Sequence, residues 1–155
     1  MNKIFMDEAI SISNKNLETN EGGPFGAVIV KDGKIIGKGN NRVTSTNDPT
    51  AHAEIVAIRD ACKNIENFSL DECDIYTSCE PCPMCLAAIY WARIKNIYYS
   101  NTRKDAADIG FDDSYIYDQI ALPIDQRDIK AIKIDNPFSK EVFENWKNKV
   151  NKVAY

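Results

Sequence analysis

The chain has a single histidine, His52, in the string Pro49-Thr50-Ala51-His52-Ala53-Glu54. Downstream it carries Glu80-Pro81-Cys82-Pro83-Met84-Cys85. One neutral imidazole and two thiols three residues apart are three ligands for a tetrahedral zinc ion, with one position left open. Glu54, two residues after the imidazole, is a carboxylate placed to carry protons beside that position. Three protein ligands and an open vertex make a hydrolytic centre, whereas four protein ligands make a structural one.

The spacing leaves alternatives. Cys79 stands three residues before Cys82 and could close a structural site of three cysteines and His52. A redox pair of Cys82 and Cys85 would leave His52 and Glu54 without a role. Cys82 and Cys85 are favoured as ligands because Pro81 reads as the start of a helix and separates Cys79 from its register. Cys82 then falls in the first turn, where unpaired N–H groups and the helix dipole favour a thiolate. Cys62 and Cys73 read as small buried residues. Glu54 raises a geometric condition. Residues i and i+2 of a regular helix point roughly 200° apart, so His52 and Glu54 share a site only if it lies at a helix end. The alternative for Glu54 is an exposed helix glutamate.

The elements that must position these residues follow from periodicity. Residues 4–18 carry Phe5, Ala9 and Ile12, with Met6 and Ile10 on an adjoining row, at helical spacing. Phe25 to Val30 and Lys34 to Gly39 flank Asp32-Gly33, a tight-hairpin signal. Asp48-Pro49 reads as a helix start that continues from Ala51 to Cys62. Residues 73–78 read as a strand, Pro81 to Ala92 as a buried helix, and Ile97 to Tyr99 as another strand. A polar, aspartate-rich loop precedes a short helix near Ser114 to Ile120. Ile129 to Ile134 reads as a fifth strand. Phe138 to Val150 reads as a final helix with Val142, Phe143, Trp146 and Val150 inward. This alternation predicts an α/β protein, with a mixed five-stranded sheet covered by helices on both faces.

At 155 residues the chain suits a single domain with its own core. The apolar share of 44% and charged share of 27% are those of a globular protein. No apolar run spans a bilayer, and the start lacks a secretory pattern. The expectation is a cytoplasmic protein with reduced thiols and no membrane partner. The net charge of −4 argues against a nucleic-acid partner, which calls for a basic face. The stretch Lys147 to Lys152 reads as a solvated helix face. A small substrate is favoured.

With these residues in place, the chain resembles the cytidine deaminase-like superfamily of zinc hydrolases, whose signature joins H-x-E to P-C-x-x-C. Within it the chain is similar to bacterial guanine deaminases. The carriers are Gly22-Gly23-Pro24-Phe25-Gly26-Ala27-Val28-Ile29-Val30, Thr46-Asn47-Asp48-Pro49-Thr50-Ala51-His52-Ala53-Glu54, Tyr90-Trp91-Ala92-Arg93, Phe111-Asp112-Asp113-Ser114 and the terminal Tyr155. The resemblance implies a three-layer α/β/α fold and one Zn²⁺ per subunit held by His52, Cys82 and Cys85. It implies attack of an activated water on C2 of guanine. Glu54 takes the water proton, passes it to N3 and then to the amino group, so that ammonia leaves and xanthine remains.

The resemblance also implies roles at the substrate. The backbone N–H groups of Ala53 and Cys82 face it, and Asn41 pairs with a purine edge. Asp113, in the catalytic and substrate-binding set, accepts from N1–H and the 2-amino group. Phe25 and Trp91 line the flat ring. Asp113 as a helix cap, Asn41 as a turn residue and the two aromatics as core are the structural alternatives. In the family the C-terminal segment crosses to a partner subunit and covers its site. That implies a homodimer with swapped tails from about residue 136, with Tyr155 reaching a substrate. Competing functions are adenosine-to-inosine editing of tRNA, deamination of another small base or pterin, and a zinc-stabilised binding module.

Overall fold

The hydrophobic alternation of the first hairpin sets the fold. A computed structural model describes residues 3–154; Tyr155, expected at the substrate, lies outside the described residues. β1 (Gly26–Lys31) and β2 (Lys34–Asn40) pair antiparallel. Asp32 and Gly33 between them take φ of 49° and 73°, the two positive values a tight primed turn requires. Along β1, Ala27 and Ile29 face one side of the sheet and Val28 and Val30 the other, as the period of two dictates. β1 is buried on both faces, so two helical layers are needed.

Both layers are present. The first helix, α1 (Lys3–Thr19), packs Phe5, Met6 and Ile12 against Val28, Val30 and Tyr76. On the opposite face α3 (Ala53–Asn64) lays Ala53, Ala57 and Ala61 against Ala27, Ile29 and Ile75. There α4 (Pro83–Trp91) adds Ile89. β3 (Asp74–Cys79) pairs antiparallel with β1 and parallel with β4 (Asn96–Asn101). α4 is the crossover a parallel pair needs. The sheet order is β2-β1-β3-β4.

Several expectations are corrected. Among the described residues the sheet has four strands, not five. Residues 129–134 form no strand, and Ile129, Ile132 and Ile134 are exposed. Their apolar content suggested a strand, but an extended segment without a paired neighbour gains no ladder hydrogen bonds. α3 begins after His52, not at Asp48-Pro49. The Asp48 carboxylate accepts from Thr50 N at 2.8 Å and closes a local turn instead of capping a helix. α4 begins at Pro83, with Pro81 outside it. A short α2 (Val43–Thr46) follows β2, and the loop after β4 contains α5 (Arg103–Asp108), closed by a capping box of Thr102 and Asp105.

The chain divides into two units, one ending at Tyr115 and one beginning at Ile116. α6 (Ser114–Ala121) straddles it. In the second unit α7 (Pro137–Asn148) starts as its sequence dictates, with Asn136 accepting from Phe138 N at 2.9 Å and Pro137 in its first turn. Val142, Phe143, Trp146 and Val150, expected inward, are exposed. Among the described residues no helix is long and apolar enough to cross a membrane.

Candidate metal centre and active site

Two helix starts converge on the site. His52 is the N-cap of α3, in extended conformation at φ −68° and ψ 157°. Cys82 is the N-cap of α4 in almost the same conformation, at φ −65° and ψ 169°. Neither side chain caps its own helix, so the imidazole and thiol are turned elsewhere. Cys85 lies three residues into α4, on the same end. This geometry meets the condition on Glu54: the site is at the helix end, and His52 stands outside the helical register.

The three donor atoms cluster within 4.8 Å of one another. Nδ1 of His52 is 3.6 Å from Sγ of Cys82 and 3.6 Å from Sγ of Cys85. Zinc bonds of about 2.3 Å to sulfur and about 2.0 Å to nitrogen, at tetrahedral angles, separate the donors by about 3.5 Å. The donor set therefore fits zinc without rearrangement. No fourth protein donor joins the group among the described residues. Cys79 is turned away, its Sγ 3.5 Å from the carbonyl of Thr102, and burial pushes its thiol up to about 11. The closed structural site falls with it.

The site's electrostatics favour metal uptake. A hydrogen bond from Cys85, and with it His52, pulls the Cys82 thiol down to about 4 against the cost of burial. The same bond to Cys82 raises Cys85, and burial adds to that. His52 is raised, first by its bond with Cys82. Metal binding takes the deprotonated ligands, and the lowered thiol of Cys82 favours that form.

Glu54 is only 6% exposed. Its Oε2 accepts from Cys85 Sγ at 3.3 Å and its Oε1 from Thr77 Oγ at 3.1 Å. Burial raises its carboxyl above the usual range, as suits a group that must take and release a proton. Sequence reasoning missed Thr77. The available signal was a hydroxyl inside a strand buried from Ile75 to Cys79, because a buried polar group needs a partner.

The remaining candidates divide. Ala53 is the first residue of α3 and fully buried; its N–H is one of those a helix start leaves without an intrahelical acceptor. Asn41 is buried. Its N–H donates to Phe25 O at 3.1 Å, and its Oδ1 accepts from Val43 N at 3.1 Å. Phe25 is half-buried and meets Phe111 edge to face, with ring centres 4.9 Å apart. Gly23 lies so close that a Cβ there would stand 2.8 Å from Phe111 and 2.9 Å from Phe25. Asp113 follows this aromatic pair. Burial, then the negative charge at Cys82, raises its carboxyl. Asp112 accepts from Ser114 N, at 2.8 Å. Trp91 is not brought to the metal ligands within the chain. It ends α4, about 13 Å along the helix from Cys82, and is 67% exposed.

A family model described as the cytidine and deoxycytidylate deaminase zinc-binding region matches residues 1–101. Guanine deaminase of Bacillus subtilis (strain 168) is 50% identical over 153 residues, 99% of this chain and 98% of that protein. The chain belongs to the guanine deaminase family of zinc-dependent deaminases. The X-ray structure of guanine deaminase from Bacillus subtilis shares its fold at a TM-score of 0.96, covering 100% of this chain and 99% of that one. A tRNA-specific adenosine deaminase of Aquifex aeolicus (strain VF5) is 41% identical over 98 residues, 63% of this chain and 64% of that protein. Guanine deaminase likeness thus runs end to end, while likeness to the editing enzymes is partial.

Proposed function

We infer that the protein catalyses hydrolytic deamination of guanine to xanthine and ammonia. The observation that carries this is the buried Glu54 carboxylate against a three-ligand zinc set, in a chain 50% identical to a guanine deaminase over nearly its whole length. His52, Cys82 and Cys85 hold the zinc. When bound, the ion lowers the pKa of a water to about 7 and so supplies a nucleophile at neutral pH.

The chain's own groups do the rest. Glu54 receives the proton of the attacking water, gives it to N3 of the purine, and protonates the departing 2-amino group. Asp113 accepts from N1–H and from the amino group that leaves, which fixes C2 at the reacting position. Asn41 offers its amide N–H₂ to a purine acceptor, since its Oδ1 already serves Val43. Ala53 and Cys82 present helix-start N–H groups, and Phe25 gives an apolar wall.

The tail completes the site from a second subunit. Val142, Phe143 and Trp146 of α7 are exposed, an apolar row that needs a covering surface. A homodimer with exchanged tails from about residue 136 supplies one and carries Tyr155 to the partner's substrate. Such a lid favours a free base over one held in RNA, as does the net charge of −4. Five unpaired thiols suit a reducing cytoplasm.

The test is ammonia release from guanine, adenine, cytosine and their nucleosides, supplied separately. Turnover of guanine alone is the expected result. Turnover of adenosine in a tRNA anticodon, with guanine inert, replaces this reading by the editing one.

A further inference from the structure

The reading of Glu54 as the proton carrier for guanine leaves one question: which carboxylate oxygen does the work. Glu54 leaves the first turn of α3, two residues after His52, and ends between two different neighbours. Oε1 meets Thr77 Oγ at 3.1 Å, and Oε2 meets Cys85 Sγ at 3.3 Å. Thr77 belongs to β3 and is 1% exposed. A β-branched side chain in a buried strand has little freedom about χ1, so its hydroxyl is a fixed donor.

The two contacts differ in kind: Thr77 donates from a hydroxyl, whereas Cys85 offers only the weak donor of a thiol and is itself one of the three residues grouped to hold a metal. The Thr77 hydroxyl is the donor that keeps the carboxylate plane turned with Oε2 toward the ligands.

We propose that Thr77 is a positioning residue for proton transfer: it occupies Oε1, so that Oε2 is the oxygen that takes the proton from water and returns it. In the first transfer a water O–H bond breaks as the Oε2–H bond forms. In the second, Oε2–H breaks and the proton goes to nitrogen. No other reactant is needed. A freely rotating carboxylate would present either oxygen, and poorly aligned transfer loses rate without loosening substrate.

The experiment compares wild type with Thr77→Val, which keeps the shape and removes the hydroxyl, and with Thr77→Ser, which restores it. Zinc content, guanine kcat and KM, and crystal structures of the zinc-loaded proteins are measured. The expected result for Thr77→Val is undiminished zinc, KM within about threefold of wild type, kcat lower by about ten- to a hundredfold, and a rotated Glu54 carboxylate. Thr77→Ser recovers kcat to within about threefold. The proposal is overturned if Thr77→Val keeps wild-type kcat, if Thr77→Ser is as slow as Thr77→Val, or if Thr77→Val loses zinc. Should Thr77→Val fail to fold, Thr77→Ala and Thr77→Ser decide: an active Ser and a slow Ala support the proposal, and equal rates overturn it. If wild type releases no ammonia from guanine, the substrate reading fails by itself, while the carboxylate orientation in the two crystal structures still judges Thr77.

Discussion

Val28, Ile29 and Ile75 are sealed from solvent in the unit that ends at Tyr115, whereas Ile129, Ile132, Ile134 and Phe143 lie open in the unit that begins at Ile116. The first unit has a sealed core on both faces of its sheet, and it holds every described residue of the metal centre. The second has an ordered helix with proper caps and no core of its own. The difference separates two tasks. Chemistry needs donors fixed to fractions of an ångström, which a packed sheet and two helix starts supply. The tail instead carries an exposed apolar row, Val142, Phe143 and Trp146, which under the proposed function covers a substrate.

The largest effect expected is at the metal. Cys82→Ala should lose zinc and guanine turnover together, by more than about a thousandfold in kcat; metal analysis beside ammonia release checks it, and an active zinc-free variant would remove Cys82 from the ligand set. Next comes the tail. Deleting residues from Asn136 onward should cut activity about tenfold or more, with the urea midpoint of the remaining chain almost unmoved. A large fall in that midpoint would show that the first unit depends on the tail and break the contrast.

Asp113→Asn should lower kcat/KM for guanine by about ten- to a hundredfold with a melting temperature close to wild type. Wild-type kinetics would take Asp113 off the substrate edge. The pH profile sharpens the same point. Glu54 and Asp113 must both be ionised to accept protons, and both carboxyls are raised by burial. Activity should therefore fall on acidification, as these carboxyls take up protons. The smallest effect concerns stability. A carboxyl raised in the fold favours folding below its unfolded pKa, and that contribution is lost as pH rises through the folded value. In zinc-stripped protein at pH 7, Glu54→Gln should therefore melt a few degrees higher than wild type, by calorimetry.

The sequence made the first unit legible where local chemistry and long-range packing agree. Asp32-Gly33 demands a hairpin, and the metal ligands carry their own spacing. It misled where a strong local signal was used for something else. Asp48-Pro49 looks like a helix start, yet the Asp48 carboxylate serves Thr50 and the helix waits for Ala53. That shift makes His52 an N-cap and brings it beside Glu54. Thr77 was missed because a strand threonine is ordinary until its burial and its partner are known. The fifth strand and the inward row of α7 failed for one reason: an apolar pattern states that a residue wants burial, but not against what. In the first unit the covering surface is within the chain.

The central claim is that three ligands hold zinc while Glu54 carries the proton. The most direct measurement is the zinc content and guanine turnover of Glu54→Gln beside wild type. The account predicts one zinc per chain in both proteins and turnover only in wild type. Persistent deamination by the zinc-loaded variant would contradict it, because the proton would then travel by another group.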